Sequence, residues 1–344
     1  MFATREAHLP ATHTPKAPTA AHHVAFFAVV ALAVALVSFA STPWHTSHER
    51  AAVFPTALTQ HVAAPIFSDG SAPNGYAQPA DAAELDGLIF VLDTGNNRIL
   101  EQDQSGAVSR VIDGSVDGQP SLQRPMALAT DGRYLYVANT GASQVLILEP
   151  DGSTLKTLDL PPAAPSGRAA RPVGLAVRPG GGLVVTDPDN NRVLFFGNEF
   201  ELQATLGGSR AAGSAGFSAP AGVAVDSAGF VYVVDILNSR VVKLSQDGTF
   251  LRQFGRPGDT AGTFSRPKDV AVDATGNVYV SDGILAVIQV FSAAGDYLGF
   301  IGRTDPGDAS SRSLFMAPAG LTVDGDTLYV VDRFAGLFAF QIQK

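Results

Sequence analysis

Apolar residues fall into short alternating runs between polar turns over most of the chain, a two-residue period that predicts β-strands rather than helices. Six runs share one form: IFVLDTGNNRIL, LYVANTGASQVL, LVVTDPDNNRVL, VYVVDILNSRVV, VYVSDGILAVIQV and LYVVDRFAGLFAF each place an Asp or Asn directly after an apolar stretch. Those residues are Asp93, Asn139, Asp187, Asp235, Asp282 and Asp332, spaced 46, 48, 48, 47 and 50 residues apart. A proline precedes each by 14 or 15 residues, at Pro79, Pro125, Pro172, Pro220, Pro267 and Pro318, so two independent markers keep one register. Within one unit, from Arg266 to Gly302, four strand-like runs appear: DVAVD, NVYVSD, VIQVF and YLGFIG. The turns Asp273-Ala274-Thr275-Gly276 and Ala293-Ala294-Gly295-Asp296 close its first and third hairpins, where glycine supplies positive φ at no steric cost. Four strands repeated at this period predict an all-β, six-bladed β-propeller, whose radial packing buries each sheet between its neighbours. A pair of β-sandwiches has no reason to show six registered copies.

The run strand-Asp-x-x-Asn-x-Arg-strand, best kept as Asp93, Asn96 and Arg98, as Asp187, Asn190 and Arg192, and as Asp235, Asn238 and Arg240, resembles the NHL repeat. The resemblance covers residues 62–344. The second, fifth and sixth units depart from it, with Ser143 and Gln144 in the second and Ala286 and Ile288 in the fifth. It implies the six-bladed fold and little about activity, since NHL propellers serve as protein-binding, RNA-binding and enzymatic platforms. The recurring Asp reads as turn chemistry: Asp accepts backbone N–H bonds, Asn tolerates the left-handed conformation and Arg ties adjacent blades.

After AGLFAFQI the sixth unit has no fourth strand before Lys344, so another segment must supply it or an edge stays open. VAAPIF, residues 62–67, stands before Pro79 much as LRQF stands before Pro267, and Tyr76 precedes its proline by three residues as Leu122, Phe217, Phe264 and Phe315 do. The segment 62–67 is therefore expected to complete the last blade.

A different pattern occupies the N-terminus. Val24 to Ala40 reads VAFFAVVALAVALVSFA, 17 residues without a charge, after a polar segment carrying Arg5 and Lys16. Such a stretch reads as an export signal, either an uncleaved anchor with Trp44 at the interface or a signal peptide cut after Ala40. The expected organisation is a disordered tail over 1–23, the hydrophobic helix over 24–42, a linker over 43–61 and the propeller over 62–344. The propeller then lies outside the cytoplasm, on a single-pass membrane protein or as a secreted one.

Composition narrows the chemistry. The chain has no Cys, which excludes disulfides, thiolate metal sites and Cys nucleophiles. All seven histidines lie at or before His61, so the propeller body offers neither a Ser-His-Asp arrangement nor the histidine zinc site of the peptidyl-hydroxyglycine amidating lyases, which share this repeat. From Ala51 onward the chain carries 20 Lys and Arg against 30 Asp and Glu, a balance that disfavours nucleic acid as a partner. No cofactor or resident metal is expected.

Two candidate sites remain. Two residues after each registered proline stand Asp81, Ala127, Gly174, Gly222, Asp269 and Gly320. Asp81 and Asp269, with Lys268 beside the second, are the carboxylates available for a channel cation of the kind gluconolactonase-like propellers hold, which implies a metal-dependent hydrolase or lyase. The other candidate is where the repeat breaks its own rule. In place of Thr-Gly or Pro-Asp after the second strand, units four to six carry Ile236-Leu237, Ile284-Leu285 and Arg333-Phe334. These tips either fold inward over the channel or form an apolar docking patch, and Arg124, Arg171, Arg266 and Lys268 from the inter-blade connections share their face. An apolar patch with basic neighbours suits a protein, peptide or anionic polymer, and the chain reads as a binding scaffold first and an enzyme second.

Overall fold

The computed structural model of the chain describes residues 62–68, 75–113, 121–208, 216–302 and 312–342. The tail, the hydrophobic segment 24–42 and the linker lie outside the described residues. Among the described residues no helix is long and apolar enough to cross a membrane.

Six four-stranded antiparallel sheets form the six blades. Their innermost strands are Asp81–Leu85, Ala127–Thr130, Gly174–Val177, Pro220–Val225, Pro267–Val272 and Pro318–Asp324. Blade five continues outward through Val278–Asp282, Val287–Phe291 and Tyr297–Ile301, with Val270 opposite Val280 and Val280 opposite Gln289. The ring closes as the sequence predicts: Val62–Ser68 pairs antiparallel with Gly336–Ile342 as the outer strand of the blade holding Asp332.

The two-residue period arises from burial on both faces. In the second strand of blade four, Val231 and Val233 pack with Phe195 of blade three, while Tyr232 and Val234 pack with Val270 and Val278 of blade five. Water reaches the outer strands instead, and Phe250–Phe254 leaves Leu251, Arg252 and Gln253 exposed.

The repeat's Asp organises the turn after the second strand. Asp235 accepts the Ser218 N–H at 2.7 Å with Oδ1, and Asn238 Nδ2 at 2.8 Å and Arg240 Nε at 2.9 Å with Oδ2. Arg240 then donates to the Gly216 carbonyl at 2.7 Å, fastening the connection that enters the blade. Blades one and three repeat this set with Asp93 and Asp187. One expectation is corrected: the left-handed residue is the fourth after the Asp or Asn, namely Asn97, Ser143, Asn191, Ser239, Ala286 and Gly336, whereas the motif's own Asn binds the Asp. Without Asn or Arg, Asp282 and Asp332 hold their loops by accepting backbone N–H groups from Ile284 and Leu285 and from Phe334 and Ala335.

Candidate functional site at the channel mouth

The inner strands surround a central cavity of about 650 Å³, and each begins at one of its mouths. The residue following each registered proline lines that mouth: Ala80, Met126, Val173, Ala221, Lys268 and Ala319. Lys268 is the one charged member of this ring. Deeper by one residue, glycine serves blade packing. A Cβ at Gly174 would lie 2.1 Å from the Ala221 carbonyl oxygen, one at Gly222 2.4 Å from Asp269 Cα and one at Gly320 2.7 Å from Asp81 Cα.

Asp81 and Asp269 replace small residues in that second ring, and both line the cavity. Asp81 accepts the Leu128 N–H of blade two at 2.9 Å with Oδ2 and the Ala82 N–H at 2.9 Å with Oδ1. Asp269 accepts the Leu321 N–H of blade six at 2.8 Å. Each carboxylate therefore caps a backbone donor of the next blade. Burial, and then the charge of Asp269, holds the Asp81 carboxyl well above the usual carboxylate range. Burial pushes Asp269 up to about 7.

Three cations gather at the same mouth. Arg266, Lys268 and Arg333 all line it, and among the described residues none of the three forms an ion pair. Burial lowers the Lys268 pKa, and the positive charges of Arg266 and Arg333 lower it further. The charge of Asp282 opposes this, and its oxygens accept N–H bonds from Ser265, Arg266, Ile284 and Leu285. The cluster is thus self-repelling.

Apolar side chains flank the cations. Leu237, Ile284 and Phe334 are 71%, 61% and 64% exposed, and Met316 in the connection into blade six is 66% exposed. Ile236 and Leu285 are half-buried, Ile236 against the core between blades four and five. The loops of blades four and five therefore half-bury one side chain and present the other to solvent, whereas in blade six Arg333 and Phe334 are both exposed. Ile236, Ile284, Arg333 and Phe334 line the central cavity, whereas Leu237 and Leu285 do not. Arg124 and Arg171 share the face but line a separate depression over blades one to three, where Arg171 pairs with Asp189 at 3.2 Å.

Sequence reasoning missed Met126 and Met316. The register held a signal for Met316: two residues before the proline the other blades carry Ala77, Gln123, Ala170, Ser218 and Ser265. It also missed the polarity of the channel, whose opposite end carries Glu84, Asp86 and Asp324. Burial and a hydrogen bond shared with Asp324 raise the Glu84 pKa.

A hard cation in the channel needs several oxygen ligands converging on one point. Among the described residues no group of three or more His, Asp or Glu side chains stands where it would hold a metal ion, and Asp81 and Asp269 each engage a neighbouring blade's amide. The residues present do not fit such an ion.

The fold and its channel define a six-bladed β-propeller. Solved structures similar to this chain have the same architecture. A catalytically inactive virginiamycin B lyase from Staphylococcus aureus with quinupristin is 14% identical, with a TM-score of 0.57 over 78% of this chain and 82% of that one. A gluconolactonase from Xanthomonas campestris is 16% identical, with a TM-score of 0.58 over 78% and 86%. A protein of unknown function from Bacteroides thetaiotaomicron is 14% identical, with a TM-score of 0.61 over 82% and 76%. At these identities the likeness is one of fold. No protein-family model matches the chain, and no curated protein sequence matches it.

Proposed function

We propose that this chain is a binding propeller of the NHL type, held outside the cytoplasm by residues 24–42 or released there by cleavage after Ala40, and that it docks an acidic segment of a protein partner. The docking face is the channel mouth over blades four to six. One observation carries this reading: Arg266, Lys268 and Arg333 form a self-repelling cluster with no ion pair among the described residues, bordered by the exposed Leu237, Ile284, Met316 and Phe334. Like charges brought together without an ion-pair partner complement an anionic partner, and apolar side chains beside them provide the desolvated contacts that dominate affinity. The test is binding of peptides rich in Asp, Glu, Phe and Leu to the full chain. Leu237→Asp combined with Phe334→Asp is expected to abolish binding and leave the melting temperature unchanged, because both side chains are already exposed. Binding that survives this double substitution would refute the docking face.

A second reading, a metal-dependent hydrolase or lyase, has in its favour the two carboxylates at one mouth and a fold shared with a lyase and a gluconolactonase, and against it the engagement of both carboxylates by backbone amides. It requires a divalent ion to raise the melting temperature and Asp269→Asn to remove that rise.

A further inference from the structure

The ring at the channel mouth is asymmetric in a way that docking alone does not require. Of the six residues that follow the registered prolines, Ala80, Met126, Val173, Ala221 and Ala319 are apolar and Lys268 alone is charged. Lys268 is half-buried, and its stem passes the Gly283 backbone, with Cγ and Cε each 3.6 Å from where a Cβ there would stand. Arg266 and Arg333 flank it from blades five and six, and Ile236, Ile284 and Phe334 complete the apolar rim. Leu128, Leu175, Val223, Val270 and Leu321 of the inner strands pack their side chains into the cores between blades, so the apolar contacts the mouth offers are those of its ring and rim. The cavity volume of about 650 Å³ lies within the range of small-molecule pockets, roughly 300–1,000 Å³. Asp81 and Asp269 lie one residue deeper at this mouth, each accepting a backbone N–H of the next blade, and the opposite end carries Glu84, Asp86 and Asp324, so the cations of the lining stand at one end of the channel only.

We propose that the mouth is a receptor site for a terminal carboxylate attached to an apolar group, with Lys268, Arg266 and Arg333 holding the carboxylate and the apolar ring and rim taking the group attached to it. This rests on the binding role given above to the same cations, and it names the chemistry they hold. An ammonium set among apolar neighbours with two guanidinium groups beside it gains most from a compact anion, since charge-assisted hydrogen bonds strengthen as water is excluded. The carboxylate can belong to a small organic acid or to the C-terminus of a peptide ending in an apolar residue.

Binding to the full chain is measured for 4-phenylbutyrate and its amide, for a short peptide ending in phenylalanine as free acid and as amide, and for an internal acidic peptide with both ends blocked. At least one free acid is expected to bind, and its amide to bind at least tenfold more weakly, roughly the effect of one charge-assisted hydrogen bond. Binding of phenylbutyrate assigns the site to small acids, and binding of the peptide acid alone assigns it to chain ends. Lys268→Met is expected to weaken the acids without changing the amides, and Lys268→Arg, which keeps the charge, to retain binding if the methionine variant fails to fold. Amides that bind as tightly as their acids, or acids indifferent to Lys268→Met, would overturn the proposal. If the blocked acidic peptide binds and is lost on Leu237→Asp with Phe334→Asp while every free acid fails, the docking face stands and the carboxylate site falls.

Discussion

Asp269 occupies a position where four of the six inner strands carry glycine or alanine, and its role follows from what its oxygen meets. Oδ2 caps the Leu321 amide of the neighbouring blade, while burial raises the carboxyl to about 7. An unfolded Asp titrates near 3.9, so between about pH 4 and 7 the folded chain binds more protons than the unfolded one. The resulting stabilisation is fully present below pH 4 and is lost as pH rises through about 7. Asp269→Asn keeps an oxygen acceptor for Leu321 and has no charge to bury. Thermal unfolding as a function of pH is expected to show the variant melting above the wild type at pH 8 and the two converging toward pH 4. A wild type that melts higher at pH 8 would mean that the ionised carboxylate is a needed group there.

At the scale of the element, each inner strand lies so close to the next that a side chain has room at only some positions. Gly174 illustrates this, since its Cβ would stand 2.1 Å from the Ala221 carbonyl oxygen and 2.7 Å from Thr186 Oγ1, which itself donates to that carbonyl. Gly174→Ala is expected to cost about 1–3 kcal/mol of stability in denaturant unfolding, the usual penalty for overpacking. A neutral result would show that blades three and four separate more easily than their backbone contact implies. The strands themselves were legible in the sequence, because second strands such as VYVVD and VYVSD are buried on both faces and a proline marks each register. The left-handed turn residue was not, because Asn97, Ser143, Asn191, Ser239, Ala286 and Gly336 share a conformation and no residue type. In the first four blades the N–H of that residue donates to the carbonyl three residues earlier, a backbone bond that sequence spacing does not display.

The whole molecule decides which residues of the face act together. Spacing along the chain placed Arg124, Arg171, Arg266 and Lys268 on one side of the ring, but only curvature separates the depression holding the first two from the mouth holding the last two. The same curvature brings Arg333 to Lys268 from the neighbouring blade, a cluster that no local motif encodes. Asp81 and Asp269 were legible as a pair at one mouth, whereas their capping of adjacent blades depends on how closely the inner strands approach. The central claim is that this mouth binds an anionic partner and does not hold a catalytic metal. Its most direct test is the melting temperature of the full chain, and of Arg266→Glu combined with Arg333→Glu, with an acidic apolar peptide or with calcium. The account predicts a rise with the peptide that falls as salt is added and disappears on charge reversal, and no rise with calcium. A calcium-dependent rise that is lost in Asp269→Asn, with no response to the peptide, would contradict it.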